Sequence, residues 1–186
     1  MIPILSLWAP ILLSAVIVFV VSAVIHMVLP YHRSDFAKLP AETEVMEALR
    51  RFNIPPGDYM MPFMVQPGDR KDPAIAEKMA KGPTALITVR RNGVFNMGPK
   101  LAQRFICCVV VSVIAAALAS QALPAGTHYR SVFHFVSIAT FAAYTVAEWP
   151  NSIWYDRKWS TALKATFDGL LYGMLTAGTF GWLWPK

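Results

Sequence analysis

Four stretches of the chain are apolar almost without interruption. Residues 8–29, 101–123, 131–149 and 162–184 each carry only a few polar positions, mostly near one end. Their length suits a helix that rises 1.5 Å per residue and crosses a hydrocarbon core of about 30 Å. Between the first and second stretches the pattern changes. Val45, Met46, Leu49 and Phe52 recur at the spacing of one helix face. Asp72-Pro73 and Gly82-Pro83 then bracket a second short helix as its start and stop. Two β-prone runs in TALITVRRNGVFNM flank Asn92-Gly93, which predicts a hairpin because both turn positions tolerate positive φ. YMMPFMV offers a third strand, interrupted by Pro62. The expected fold class is an all-α membrane bundle of four transmembrane helices with a small cytoplasmic α+β insertion between helices 1 and 2. The boundaries fall at 1–29, 30–100 and 101–186. An insertion of this size buries only a small core, so it is expected to rest on the membrane face and the inner helix ends.

Composition agrees with lipid as the main surroundings: hydrophobic residues make up 55% of the chain and charged ones 15%, which argues against an ordinary soluble domain. The first apolar block has no basic leader or small-residue cleavage site, so it is expected to stay in the mature chain. Charge then sets direction. Twelve of the 17 Lys and Arg residues lie between Arg33 and Arg104, and Arg157, Lys158 and Lys164 lie around the third-to-fourth turn; only Arg130 and Lys186 fall on the other side. Because Lys and Arg concentrate in short cytoplasmic loops, both termini are expected to be periplasmic. The basic residues are scattered among acids, so no nucleic-acid partner is expected. Cys107 and Cys108 are adjacent and point about 100° apart on a helix, which suits small apolar filling better than a disulfide or metal pair.

The chemistry that needs explaining is an acid inside the last apolar stretch. Asp168 lies beside a row of small residues, Gly169, Gly173, Ala177 and Gly181, spaced every four positions. Such a row lets another helix backbone come close, so Asp168 should face a helix interface. The other stretches offer polar groups at a similar level: His26, Arg104 and Glu148. An unpaired charge at such a depth costs about 2.5–3.5 kcal/mol. Arg104 is therefore expected to neutralise Glu148 or Asp168, with His26 sharing the remaining acid. His134, Ser137, Phe141, Thr145 and Glu148 also form a partly polar stripe along the third stretch, open to reading as a proton path or as interfacial anchors. Lys164, one turn before Asp168, suits a local ion pair or an anionic headgroup. His26 and His32 are six apart across a proline, which is not a helical ligand pair. The six methionines between 46 and 97 suit adaptable packing better than copper binding. No HExxH, GxSxG, P-loop or dinucleotide motif occurs.

The segment IWYDRKWSTALKATFDGLLYGMLTAGTFGWLWP resembles the C-terminal signature of a group of small, uncharacterised bacterial inner-membrane proteins. In that signature a Trp-rich loop leads through Lys and Asp-Gly-Leu into a final Thr-Ala-Gly…Phe-Gly-Trp-Leu-Trp-Pro helix; here these are Trp154, Trp159, Lys164, Asp168, Gly169, Leu170, Thr176, Ala177, Gly178, Phe180, Gly181, Trp182, Leu183, Trp184 and Pro185. The likeness implies a bacterial inner-membrane setting and four spans, and no reaction. The leading expectation is a structural or accessory protein whose inner helix ends meet a second copy or a membrane-protein partner. A carrier of protons or metal ions, using His26, Glu148 and Asp168, and an enzyme acting on a lipid or quinone are the alternatives. Neither a metal nor any other cofactor is specified.

Overall fold

The computed structural model describes residues 2–186. In chain order the elements are α1 (Trp8–Met27), α2 (Glu42–Arg50), β1 (Gly57–Met61), α3 (Pro73–Lys81), β2 (Ala85–Val89), α4 (Met97–Ala122), α5 (Tyr129–Thr145), α6 (Trp149–Trp154) and α7 (Trp159–Trp182). They fall into two compact units, one comprising the residues up to Phe36 together with Asn96–Lys186, the other Ala37–Phe95.

The first unit holds the long helices. Three segments are long and apolar enough to cross a membrane: Ile4–Met27, Met97–Ala122 and Tyr129–Trp154. The last is not one smooth helix, because α5 gives way to a 3-10 turn at Val146–Glu148 and α6 follows with Pro150 in its first turn. The stretch expected as the fourth span forms the 24-residue helix α7, which among the described residues is not one of the three that length and composition mark as able to cross a membrane. The reason lies in where α7 sits. It packs on both α1 and α5, so many of its positions face protein and hold Gly, Thr or Asp168 in place of the large apolar residues that lipid selects.

The row of small residues faces α5. A Cβ on Gly173 would lie 3.2 Å from the Phe141 nitrogen and 3.3 Å from the Ser137 carbonyl oxygen, and one on Gly169 would clash with Thr145 Cγ2. The two backbones therefore approach about as closely as helices can. Thr140 adds a hydroxyl that donates to the Gly173 carbonyl oxygen at 3.3 Å. Ala177 joins Val132, Val136 and Phe180 in one core cluster, which also takes in Ile11 and Ala116. A second cluster, of Ala15, Val18, Ile25, Cys108 and Tyr172, lies toward the Pro30 end. Between α1 and α4, Ser14 and Ser112 share a buried hydrogen bond of 3.0 Å.

In the second unit α2 and α3 form where periodicity and caps place them; the Asp72 carboxylate accepts from the Ala74 amide at 2.8 Å. The hairpin on Asn92-Gly93 does not form. Instead β2 pairs antiparallel with β1, from Gly57 opposite Val89 to Met61 opposite Ala85. The chain after the Asn-Gly turn is claimed by the next helix, since Asn96 caps α4 by accepting from the Gly98 amide at 3.0 Å. Too few residues are left for a second strand. Among the described residues, none in Ala37–Phe95 is fully buried.

The glycine contacts make a direct prediction. Gly169→Ala overpacks the α5 contact and destabilises the protein by about 1–3 kcal/mol. At Gly178 the nearest neighbour of an added Cβ is the Tyr129 hydroxyl at 3.7 Å, so Gly178→Ala is neutral or stabilising, by up to about 1 kcal/mol. Equilibrium unfolding of the two variants in detergent micelles checks the contrast.

Candidate functional site

The Asp168 carboxyl is met by the chain that follows α1. Leu29-Pro30 turns the backbone, and residues Pro30–Asp35 wind into a 3-10 helix because proline presets φ at its first position. That turn brings Tyr31 and His32 onto α7. The Tyr31 hydroxyl donates to Asp168 Oδ1, and His32 Nε2 bonds Asp168 Oδ2 at 2.8 Å. His32 Nδ1 bonds Asp35 Oδ2 at 2.6 Å. Both ring nitrogens face carboxylate oxygens, so His32 bridges the two acids. Lys164 completes the network. Its ammonium donates to Asp35 Oδ1 at 2.8 Å, to the Tyr31 carbonyl at 2.6 Å and to Ser34 Oγ at 2.7 Å. Asp168, Asp35, His32 and Lys164 thus join in one connected cluster. Asp168 itself is only 3% exposed.

Two shifts outside the apolar helices follow from this arrangement. Burial pushes the Tyr31 phenol up, and its hydrogen bond to Asp168 pushes it further, so the group stays a donor. For Asp35, burial alone would raise the carboxyl; the hydrogen bonds from Lys164 and His32 together outweigh it and leave the carboxyl below the ordinary carboxylate range.

The expected pairings are therefore corrected. Arg104 neutralises neither Glu148 nor Asp168: among the described residues no carboxylate lies at ion-pair distance from it. Its guanidinium lies instead over two rings, 5.3 Å from the Tyr172 centroid and 5.9 Å from the Tyr144 centroid. Glu148 is exposed and accepts from Asn151 Nδ2 at 3.2 Å. His26 makes no side-chain hydrogen bond among the described residues. Its ring lies 4.3 Å from that of His32, so the two histidines come together despite the intervening proline. Lys164 bypasses Asp168 for Asp35, and on the α5 stripe Ser137 and Thr145 donate to carbonyls of their own helix. The groups that sequence reasoning missed are Tyr31, Asp35, Tyr144 and Tyr172; none sits in a motif.

Beside the network is an open pocket of about 410 Å³ to which α1, α4, α5 and α7 all contribute. Phe19, Met27 and Leu101 make part of its wall apolar; His26, Arg104, Tyr144, Glu148, Asp168 and Tyr172 supply its polar groups. Among the described residues the hydroxyls of Tyr144 and Tyr172 are buried with no partner at hydrogen-bonding geometry, Cys108 and Arg104 being their nearest polar neighbours. A second open pocket, of about 550 Å³, touches the other side of the network through His26, His32 and Asp35. Comparison of the chain with protein-family models, with curated proteins and with solved structures finds no match.

The depressed Asp35 value gives a pH dependence with a definite sign. A carboxyl that holds its proton less tightly when folded than when unfolded stabilises the fold above its unfolded value, about 3.9, and loses that contribution as pH falls through the lower folded value. Wild type should therefore lose stability, relative to Asp35→Asn, from about pH 5 downward. Thermal unfolding of both proteins from pH 7 to pH 3 measures the difference; parallel curves would contradict the assignment.

Proposed function

We propose that this chain is a four-span protein of the bacterial inner membrane, both termini periplasmic, that binds the anionic headgroup of a membrane lipid at the cytoplasmic ends of its helices. In this reading α7 is the fourth span. It tolerates Asp168 and its glycines because protein, not lipid, covers them. The distribution of Lys and Arg supports the orientation, and the likeness of the last helix to the bacterial inner-membrane signature supports the setting.

One observation carries the ligand. Arg104 has no carboxylate partner among the described residues, and the two phenols beneath it have buried hydroxyls with no partner, all on the wall of one pocket. Each orphaned hydroxyl costs about 1–3 kcal/mol, and an unmatched guanidinium at membrane depth costs about as much again. A phosphate group offers acceptor oxygens enough for all three donors, and Arg grips it in two-pronged fashion. The carboxyl oxygens of Asp168 are already engaged, by the Tyr31 hydroxyl and His32 Nε2. The apolar part of the wall, from Phe19, Met27 and Leu101, suits the start of an acyl chain. Lipid binding replaces a plain structural role as the leading reading because a purely architectural cluster would leave none of these donors unmet. Asp168 keeps the architectural part, fixing residues 30–36 to α7.

Two measurements test the proposal. Wild-type protein purified in mild detergent should carry anionic phospholipid into native mass spectrometry. Arg104→Ala should weaken that retention by about tenfold or more, the size of a lost charge-assisted hydrogen bond. Unchanged lipid content in Arg104→Ala would sink the ligand assignment, and displacement of the lipid by millimolar inorganic phosphate would assign the pocket to the free anion. Alkaline-phosphatase fusions should be active after Lys186 and inactive within Ala37–Phe95; activity at the second site would invert the topology.

A further inference from the structure

His26 lines both pockets and its ring lies tilted against that of His32, yet among the described residues nothing holds its ring nitrogens. One ligand-type atom from each of His26, His32 and Asp168 lies within 4.8 Å of the others. We propose that these three side chains form a binding site for a divalent transition-metal ion of the zinc type, with Asp35 orienting His32 from behind. The proposal does not depend on the lipid headgroup assignment, although His26 and Asp168 also line that pocket.

The donor set defines the class of ion. Two imidazoles and one carboxylate are the ligands of zinc sites that keep a fourth position open. Magnesium and calcium prefer all-oxygen surroundings and are poor competitors for imidazole nitrogen.

The arrangement behind the donors is a second, independent observation. A metal-bound histidine commonly gives its other ring N–H to a carboxylate, which fixes the ring and its tautomer. His32 does this through Nδ1 and Asp35 Oδ2 at 2.6 Å, leaving Nε2 directed at Asp168. Asp35 is itself held by Lys164. Asp168 is prepared in the same way, since Tyr31 occupies Oδ1 and only Oδ2 faces the histidine. His32 Nε2 and Asp168 Oδ2 lie 2.8 Å apart, about half an ångström closer than the roughly 3.3 Å between two tetrahedral ligand atoms bonded to one ion at about 2.0–2.1 Å, so binding parts them by that amount.

Two ligands are thus held side by side and have to part slightly to admit the ion, and the third is free to turn. His26 is exposed, and a rotation of its ring closes the remaining gap. The ion takes the place of the proton that His32 Nε2 now shares with Asp168, and that proton leaves to solvent. Because His26 borders both pockets, the fourth position of the ion opens toward them, within reach of water or of an oxygen of whatever the Arg104 pocket holds.

The test uses the full-length protein in lipid nanodiscs, stripped with chelator and titrated with ZnCl2 in excess MgCl2 by isothermal calorimetry. The expected result is one Zn²⁺ per chain, unaffected by magnesium. His26→Ala should lower the affinity by about tenfold or more, and Asp35→Asn by about 10–100-fold. His26→Ala removes no hydrogen bond, so its metal-free melting temperature should match wild type. If it does not, His26→Gln keeps the bulk of the ring and replaces it in the titration. Absence of stoichiometric zinc in wild type overturns the proposal, as does zinc affinity that survives loss of the His26 imidazole.

Discussion

A carboxylate that is 97% removed from solvent on a helix rich in apolar residues sets the terms for everything around it. Left alone at Asp168, such a charge costs several kcal/mol, and folding must bring donors to it. The donors come from the turn that follows α1. For Tyr31 and His32 to reach Asp168 the chain has to fold back at Pro30, and that fold fixes the end of α1 against α7. Lys164 reinforces the docking one turn earlier by holding Asp35, Ser34 and the Tyr31 carbonyl. On its opposite face α7 presents glycines, which let α5 close to backbone distance. One helix thus receives its neighbours by two different means, ion pairing on one side and close packing on the other.

The same constraint explains why Arg104 stands apart. Asp168 and Asp35 are engaged by Tyr31, His32 and Lys164, and the guanidinium rests on the faces of Tyr144 and Tyr172. Cation–π contact compensates part of its desolvation, on the order of 0.5–2 kcal/mol, and leaves its N–H groups available. The pocket and the paired histidines share the wall that Asp168 forms. A headgroup phosphate on Arg104 and a metal ion on His26 would therefore be neighbours.

Some of this was legible in the sequence and some was not, for physical reasons. Apolar blocks mark the long helices because hydrocarbon thickness fixes their length. The four-residue spacing of Gly169, Gly173, Ala177 and Gly181 is visible because helical period is fixed. Partner choice was less visible. His26 and His32 look unrelated when Pro30 is read only as the end of a span; a 3-10 turn after that proline carries the second ring back beside the first. Lys164 and Asp168 look like a local pair at four residues' spacing, yet Asp35, far away in the chain, wins the lysine. Arg104 was assigned an acid because opposite charge is the only partner a sequence advertises, whereas tyrosine faces carry no signature. The Asn92-Gly93 turn misled in the same way: its chemistry favours a hairpin, and the need to cap α4 took the residues a hairpin would use.

The central claim is that His32 and Asp168 are energetically coupled across the gap between the α1 turn and α7. A double-mutant cycle with His32→Gln and Asp168→Asn, read by equilibrium unfolding in detergent micelles, measures that coupling. The account predicts an interaction energy of about 1.5–3 kcal/mol, the range for hydrogen bonds between charged groups. Additivity of the two substitutions within about 0.5 kcal/mol would show that the carboxylate is held by something else, and would contradict it.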